Sequence, residues 1–155
     1  MKRGDAQRIG ALIATECLSV RVRRLGRIVT RIYDTALAPH GVSTAQMNLL
    51  AAVAVTGGAR AADLGEILGL EKSTLSRDLK RMERLGWIRS RPAPTRGRNL
   101  VLTPAGSRLL VRLEDAWNEA QSALEQQLGR QHFARLRQTL PSPVKRDDVR
   151  HRVRR

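Results

Sequence analysis

A basic amphipathic segment, Leu70 to Gly86, constrains most strongly what this 155-residue chain can form. Leu75, Leu79 and Met82 recur at helical spacing and Leu85 closes the row, so a helix here has one apolar side. The opposite side carries hydroxyls and cations, namely Ser73, Ser76, Arg77, Lys80 and Arg84. Such a helix can pack on a core while its other side touches a polyanion.

A shorter helix is predicted just upstream. The residues from Ala61 to Leu68 have a helical pattern that Gly69 ends, so two helices are joined by a tight turn. This is the order of a helix-turn-helix, whose second helix enters the major groove of DNA. An isolated amphipathic helix of this kind is more often a solvated surface helix, but the preceding helix favours DNA recognition.

A β-wing is predicted after this helix pair. Two strand-like runs, Trp87–Arg91 and Asn99–Leu102, flank the turn-rich loop Pro92–Arg98. Arg96 and Arg98 near the loop tip suit a narrow minor groove, where the negative potential of DNA is strongest.

The N-terminal part of the chain predicts a long helix that needs a partner. Signals from Met1 to about Glu16 are weak and predict a frayed or only partly helical segment. A helix follows to about Ala38, where Pro39 and Gly41 stop it. Its apolar residues have heptad-like spacing: Leu18, Val22, Leu25, Val29, Ile32 and Ala36. With a second long helix near the C-terminus, this stripe favours a two-fold dimer.

Caps define the remaining helices. Ser43 and Gln46 form a capping box, and the inward face of the helix after it is predicted to be Met47, Leu50, Ala51 and Ala54. Thr103 as N-cap and Pro104 open a long helix to about Leu128. Its predicted apolar face is Leu109, Leu110, Leu113, Trp117, Ala120 and Leu124.

A last helix from about Gln131 to Leu140 is predicted to turn Phe133, Leu136 and Leu140 inward. The charged residues 141–155 predict a disordered tail.

Charge and cysteine content narrow the function. A net charge of +15 and a pI near 11.7 predict an anionic partner such as nucleic acid. Together with the helix-turn-helix and the wing, this makes double-stranded DNA the expected partner. The single cysteine, Cys17, excludes an internal disulfide and is consistent with a reducing compartment. No apolar run reaches membrane-spanning length, so no membrane partner and a cytoplasmic protein are expected.

Neither an enzyme nor a metal protein is indicated. His40, His132 and His151 are scattered, and one cysteine cannot form a zinc pattern. The sequence has no nucleophile elbow, no glycine-rich phosphate loop and no paired carboxylates at a plausible spacing. We therefore expect a non-enzyme with no metal and no cofactor.

Four motifs between Ala62 and Gly106 are specific enough to indicate a family. They are Ala62-Asp63-Leu64-Gly65, the Leu-x-x-Ser-Thr-Leu-Ser-Arg of Leu70 to Arg77, Leu85-Gly86-Trp87-Ile88, and Leu102-Thr103-Pro104-Ala105-Gly106. In these motifs and in the order of its elements, the chain resembles the MarR family of bacterial winged-helix transcription regulators over residues 17–140. The resemblance implies a mainly α-helical protein with a small β-wing, in which long N- and C-terminal helices form a homodimer.

The resemblance also assigns parts of the chain. Residues 1–155 form one domain, with dimerisation helices at 17–40 and 104–140 and the winged helix-turn-helix at 43–103. The residues expected at DNA are Lys72, Ser73, Thr74, Ser76, Arg77, Lys80, Arg84, Arg96 and Arg98. The wing usually carries an Asp two residues before its arginine, and Pro94 stands there instead, so the ion pair that commonly braces the wing is missing.

Relatives in this family mostly repress transcription and release DNA when a small phenolic or lipophilic ligand binds, or when a cysteine is oxidised. Cys17 lies near the start of the long helix, as the sensing thiol does in the peroxide-sensing branch. Tyr33 is the only tyrosine and lies more than four turns away, so the tyrosines that surround that thiol have no counterpart here. A small buried apolar residue is therefore the more ordinary interpretation of Cys17. No effector-binding residue is assigned.

Three other functions remain open at this stage. An architectural, largely non-specific DNA-binding protein would also have a high charge and a basic tail. A DNA-associated thiol redox protein would use Cys17, but the sequence has no resolving cysteine. An adaptor without DNA binding is disfavoured because the helix and the wing both carry basic side chains.

Overall fold

Eight α-helices, one 3-10 helix and a two-stranded antiparallel sheet account for the regular structure of the described residues, 3–93, 97–140 and 142, in this computed structural model. In chain order the elements are α1 (Arg3–Glu16), α2 (Leu18–Leu37), the 3-10 helix (Ala38–His40), α3 (Thr44–Thr56), α4 (Ala61–Leu68), α5 (Lys72–Arg84), β1 (Ile88–Pro92), β2 (Arg98–Leu102), α6 (Pro104–Arg112), α7 (Glu114–Leu128) and α8 (Arg130–Thr139). The predicted fold class, mainly α-helical with a β-wing, is confirmed.

The N-terminal segment is a complete helix, which corrects the expectation of a frayed or partial one. Helix α1 runs from Arg3 to Glu16, and Cys17 separates it from α2 with an extended backbone (φ −67°, ψ 113°). Between Gly10 and Glu16 the sequence is rich in Ala, Leu and Ile. The helix propensity of these residues accounts for α1 even though the segment has no clear apolar periodicity.

Helix α2 follows its prediction closely, and its apolar stripe changes environment along its length. The second half packs against α7, where Leu25, Val29 and Ile32 are partly buried and Leu37 is fully buried. The first half has no such cover, since 70% of Leu18 remains exposed.

Helix α3 begins at the predicted capping box. The Ser43 hydroxyl accepts the Gln46 N–H at 3.3 Å, and the Gln46 Oε1 accepts the Ser43 N–H at 3.3 Å. The predicted inward face was wrong in part: Ala54 is exposed, whereas Leu49 and Val53 are buried. Because α3 packs against α2, α4, α5, α6 and β2, several of its sides are buried and a single-face periodicity does not apply.

The predicted long helix after Thr103 is divided in two. Helix α6 ends before Leu113, whose backbone (φ −79°, ψ −7°) stays in the right-handed region but departs in ψ from the regular helical value of about −42°. Helix α6 packs against α3 and β2, while α7 packs against α2 and α8. The chain therefore passes at Leu113 from the small lobe, formed by α3 to α6 and the sheet, to the long helices. Leu113 itself is buried at this corner, with 1% exposed.

Two predictions of buried side chains near the C-terminus were also wrong. Trp117 is 41% exposed and Leu140 is 64% exposed. Trp117 lies on α7 beside a crevice, and Leu140 follows the last residue of α8 with an extended backbone, so neither is enclosed by the described residues. Leu109, Ala120 and Leu124 are buried as predicted.

The most deeply buried side chains lie mainly in the lobe formed by α3 to α6 and the sheet. Those with almost no exposure are Leu37, Leu49, Leu50, Val53, Leu64, Met82, Ile88 and Leu113. In the described part of the chain, no helix has both the length and the apolar character needed to cross a bilayer. The predicted domain boundaries remain predictions, and the tail at 141–155 lies outside the described residues except for Ser142.

The start of α6 lies against the backbone that follows α5. The Thr103 hydroxyl accepts the Gly106 N–H at 3.0 Å and donates to the Gly86 carbonyl at 2.6 Å. The Thr103 N–H donates to the Trp87 carbonyl at 3.0 Å. A Cβ atom on Gly106 would lie only 2.0 Å from that carbonyl oxygen, so only glycine fits.

We expect Gly106→Ala to destabilise the fold by about 3 kcal/mol, because the new methyl group meets backbone rather than a movable side chain. Urea unfolding followed by circular dichroism measures this change. Gly10→Ala is the matched control, since a Cβ there meets no heavy atom within 4 Å and alanine favours the helix. Equal midpoints for the two variants would contradict the close approach at Gly106.

Candidate nucleic-acid interface

Helices α4 and α5 are joined by a turn that brings them into close contact. Gly69 adopts a left-handed conformation (φ +60°), and the Leu70 N–H donates to the Gly65 carbonyl at 3.0 Å. A Cβ on Gly65 would lie 3.0 Å from the Leu75 Cδ2 atom. Small residues at this crossing therefore let the two helices approach as a helix-turn-helix requires.

Helix α5 separates apolar from basic side chains as the sequence predicts. Leu75, Leu79 and Met82 are buried, with 7%, 7% and 0% exposed. Leu85 was expected in the same row but is 48% exposed. It is the C-cap residue of α5, and its position three residues after Met82 places it at the edge of the apolar side. The exposed predicted DNA residues of α5 are Lys72, Ser73, Ser76, Arg77, Lys80 and Arg84, and Thr74 is partly buried.

The N-terminus of α5 is open to an anionic ligand. Glu71 occupies the N-cap position and its side chain makes no capping hydrogen bond. The backbone N–H groups of a first helical turn lack intrahelical acceptors, and the helix dipole favours a negative group there. Ser73 and Thr74 lie in this turn, so hydroxyl and backbone donors are grouped where a phosphate would approach.

Gln46 connects α5 to the start of α3. Its Nε2 donates to the Asp78 Oδ1 atom at 3.0 Å, while its Oε1 completes the capping box with Ser43. Gln46 is the buried polar residue of the core, with 4% exposed. The sequence predicted Gln46 only as a capping residue. Its contact with Asp78 was missed because the capping box assigns a partner to the amide oxygen of Gln46 but not to its NH₂ group.

The wing is held by one arginine that the sequence indicated. In the β1–β2 pair, Ile88 faces Leu102 and Pro92 faces Arg98. The Arg98 Nε donates to the Ser90 hydroxyl at 2.6 Å, and its Nη2 donates to the Ser90 carbonyl at 3.3 Å. Arg98 is therefore hydrogen-bonded to Ser90 on the neighbouring strand and is not free at the tip of the wing, where the sequence had placed it. Arg96 and Pro94 lie outside the described residues.

A second arginine, Arg60, lies beside the wing, with its Cδ atom 4.0 Å from where a Cβ on Gly97 would stand. The Arg60 guanidinium contacts the Asp63 carboxylate through two hydrogen bonds, at 3.1 and 3.3 Å. These bonds hold the pKa of Asp63 below its usual value and raise that of Arg60. The pair is exposed, so solvent screens it and it contributes little to stability.

Grooves flank α5 on both sides. The groove toward the wing, about 940 Å³, brings together Lys72, Ser76 and Lys80 of α5 with Arg98 of β2. The groove on the other flank, about 750 Å³, is lined by Thr74, Gln46, Arg77, Asp78, Lys80, Arg81, Glu83 and Arg84. Helix α5 is therefore a projecting ridge, the shape that enters a major groove.

Cys17 lies apart from this surface. It is partly buried at the junction of α1 and α2. The Arg21 guanidinium donates to the Thr15 carbonyl and lies 3.9 Å from the Glu16 carboxylate, so its contacts are with these two residues. Tyr33 lines a crevice between α2, α7 and α8, and burial raises its pKa. The redox role of Cys17 remains a prediction.

Comparison with known proteins identifies the same fold. The MarR family model matches residues 40–99, from the 3-10 helix into β2. The apo form of MarR from E. coli superimposes with a TM-score of 0.69 at 21% identity, covering 80% of this chain and 97% of that chain. A mutant E. coli MarR complexed with operator DNA gives 0.72 at 20% identity, covering 84% and 98%. No curated protein sequence matches the chain.

A somewhat higher identity is found with a mycobacterial regulator. The transcriptional regulator MosR from M. tuberculosis, in complex with DNA, gives a TM-score of 0.64 at 28% identity and covers 80% of this chain and 96% of that chain. The family-model match and these structures together confirm the resemblance that the four motifs indicated.

We expect the Gln46–Asp78 contact to contribute a coupling of about 1.5 kcal/mol to the free energy of unfolding, because a buried amide donates to a charged acceptor. A double-mutant cycle with Gln46→Ala and Asp78→Ala measures it in urea. The matched cycle with Arg60→Ala and Asp63→Ala should give a smaller coupling, since that pair is exposed. A Gln46–Asp78 coupling no larger than that of the exposed pair would contradict the positioning role.

Proposed function

Because the resemblance to the MarR family of winged-helix transcriptional regulators is confirmed, we propose that this chain is a homodimeric, sequence-specific DNA-binding repressor. The observation that carries the proposal is the ridge of α5, whose basic side is exposed beside a wing. Two subunits would place two such helices in successive major grooves of a pseudo-palindromic operator. The known structures of MarR and MosR with DNA support this assignment.

The residues of α5 and the wing divide into two roles in this proposal. Arg77, exposed on the outer side of α5, reads a guanine edge, because its planar fork can make two parallel hydrogen bonds. Lys80 and Arg84 hold phosphates, as do the donors of Lys72, Ser73, Thr74 and Ser76. Arg96 is the wing residue proposed for the minor groove, whereas Arg98 holds the two wing strands together through Ser90.

The helices at the two ends of the chain supply the proposed dimer contact. Large apolar side chains are exposed along α1 and on the apolar stripe of the first half of α2, namely Ile9, Leu12, Ile13, Leu18 and Val22. An apolar crevice of about 650 Å³ runs between α2, α7 and α8. Exposed apolar surface of this extent supports burial against a second copy of the chain.

A small effector site is proposed at the corner between α6 and α7. A crevice of about 250 Å³ is lined there by Met47, Asn48, Ala51, Leu110, Leu113, Glu114 and Trp117. Its walls are mostly apolar, and its size fits a single aromatic ring. A phenolic or lipophilic ligand between α3 and the α6–α7 corner would bias the angle at which each winged helix meets the dimer helices, and so release DNA.

We expect Arg77→Ala to relax sequence preference, because one bidentate base contact provides about 1–3 kcal/mol of discrimination. Lys80→Ala should instead weaken binding to preferred and scrambled duplexes by the same factor, because a phosphate contact carries no base information. Fluorescence anisotropy with both duplexes measures the two ratios. If Arg77→Ala and Lys80→Ala lowered the affinity for both duplexes by the same factor, the division into base-reading and phosphate-binding residues would be wrong.

We expect small phenols, but not peroxide, to lower operator affinity. Phenols that release the operator should quench Trp117 in the α6–α7 crevice, and Trp117→Phe should remove that part of the quenching while Trp87 still fluoresces. Peroxide should leave wild-type protein and Cys17→Ser equally bound. If peroxide released operator DNA from the wild-type protein but not from Cys17→Ser, this would instead establish Cys17 as a redox sensor.

A further inference from the structure

We propose that α2 carries a second DNA-binding surface, which holds phosphates of the same duplex that α5 binds; the inference rests on the proposed function. This arginine face consists of Arg23, Arg27 and Arg31, with Gly26 and Thr30 between them. All five residues are exposed, and together they line a shallow groove of about 840 Å³ along the helix.

Within the described part of the chain, none of the three arginines of this face takes part in an ion pair. Asp34, the one acidic residue of α2, lines the end of the same groove, and its carboxylate accepts both the N–H and the hydroxyl of Thr44, at 2.8 and 2.7 Å. Arginines four residues apart repel one another along a helix. An anion with regularly spaced charges would offset this repulsion.

The arginine face points away from the proposed dimer contact. It lies on the opposite side of α2 from the apolar stripe that includes Leu25 and Val29, which packs toward α7. A partner helix on the stripe would leave the arginines in solvent. Gly26 also has no side chain to cover the middle of the face, and nothing lies within 4 Å of where its Cβ would be.

A chain of contacts places the end of this face beside α5. Asp34, one turn beyond Arg31, bonds to Thr44 in the first turn of α3. Two residues later, Gln46 bonds to Asp78 in α5. The groove at Gln46 and Asp78 also contains the arginines of the outer α5 flank. A duplex held on α5 therefore has a basic surface continuing from that flank toward α2.

The spacing of the three arginines suits a nucleic-acid strand. Residues four apart on a helix are separated by about 6 Å along its axis, so the face extends over about 12 Å. One DNA strand presents a phosphate every 3.4 Å or so of duplex axis, which places about three phosphates within that reach. The face thus matches a backbone segment in charge and length and carries no base-reading geometry.

The test compares the salt dependence of DNA binding for three full-length proteins. The first is wild type, the second carries Arg23→Gln, Arg27→Gln and Arg31→Gln, and the third is a charge-matched control. The control replaces three exposed arginines of α6 and α8 in the same way, namely Arg108, Arg112 and Arg135. Fluorescence anisotropy with a short random-sequence duplex gives the slope of log K against log salt, and sedimentation velocity gives the oligomeric state.

We expect the α2 variant to reduce the steepness of that slope by about 2 to 3 for each bound subunit, and so by about 5 for a dimer, since each lost phosphate contact removes about 0.9. The control should keep the wild-type slope, and all three proteins should keep the same oligomeric state. An α2 slope equal to that of the control would overturn the inference while leaving the proposed function intact. Dissociation of the α2 variant into smaller species would overturn it in favour of a protein contact. Failure of wild type to bind both this duplex at low salt and every fragment of a random-sequence DNA pool would refute the proposed function itself.

Discussion

The structure depends on burying one side of α5 while its other side stays in water. Leu75, Leu79 and Met82 pack into the core of the small lobe, and their burial fixes which side of the helix faces inward. The hydrogen bond from Gln46 to Asp78 adds a directional contact between the start of α3 and one flank of α5. Hydrophobic burial supplies most of the stability, and the polar contact adds specificity to the position of α5.

The Trp87 carbonyl connects the end of α5, the wing and the start of α6. It accepts the Thr103 N–H at the end of β2, and the backbone of Gly106 lies directly against it. Thr103 also caps α6 and reaches back to the Gly86 carbonyl just after α5. These contacts link the start of α6 to the end of α5 and to the wing. They would allow the proposed effector site at the α6–α7 corner to influence the proposed DNA-binding surface.

Local signals in the sequence predicted most element boundaries and the division of α5 into two sides. The Ser43 and Thr103 caps and the glycines after α4 and α5 act within a few residues, so a single chain reveals them. Burial that depends on several neighbours was harder to predict: α3 is covered on many sides, the helix turns at Leu113, and Trp117 lies uncovered. The Gln46–Asp78 contact joins residues 32 apart, which no local pattern specifies.

The most direct test of the account is the selection of bound fragments from a random-sequence DNA pool by the purified protein, at low and at physiological salt. The account predicts enrichment of an inverted repeat whose half-sites lie about one helical turn apart, and its persistence at physiological salt. Binding without any enriched sequence, lost steeply as salt rises, would contradict the account and indicate an architectural protein that holds only the DNA backbone.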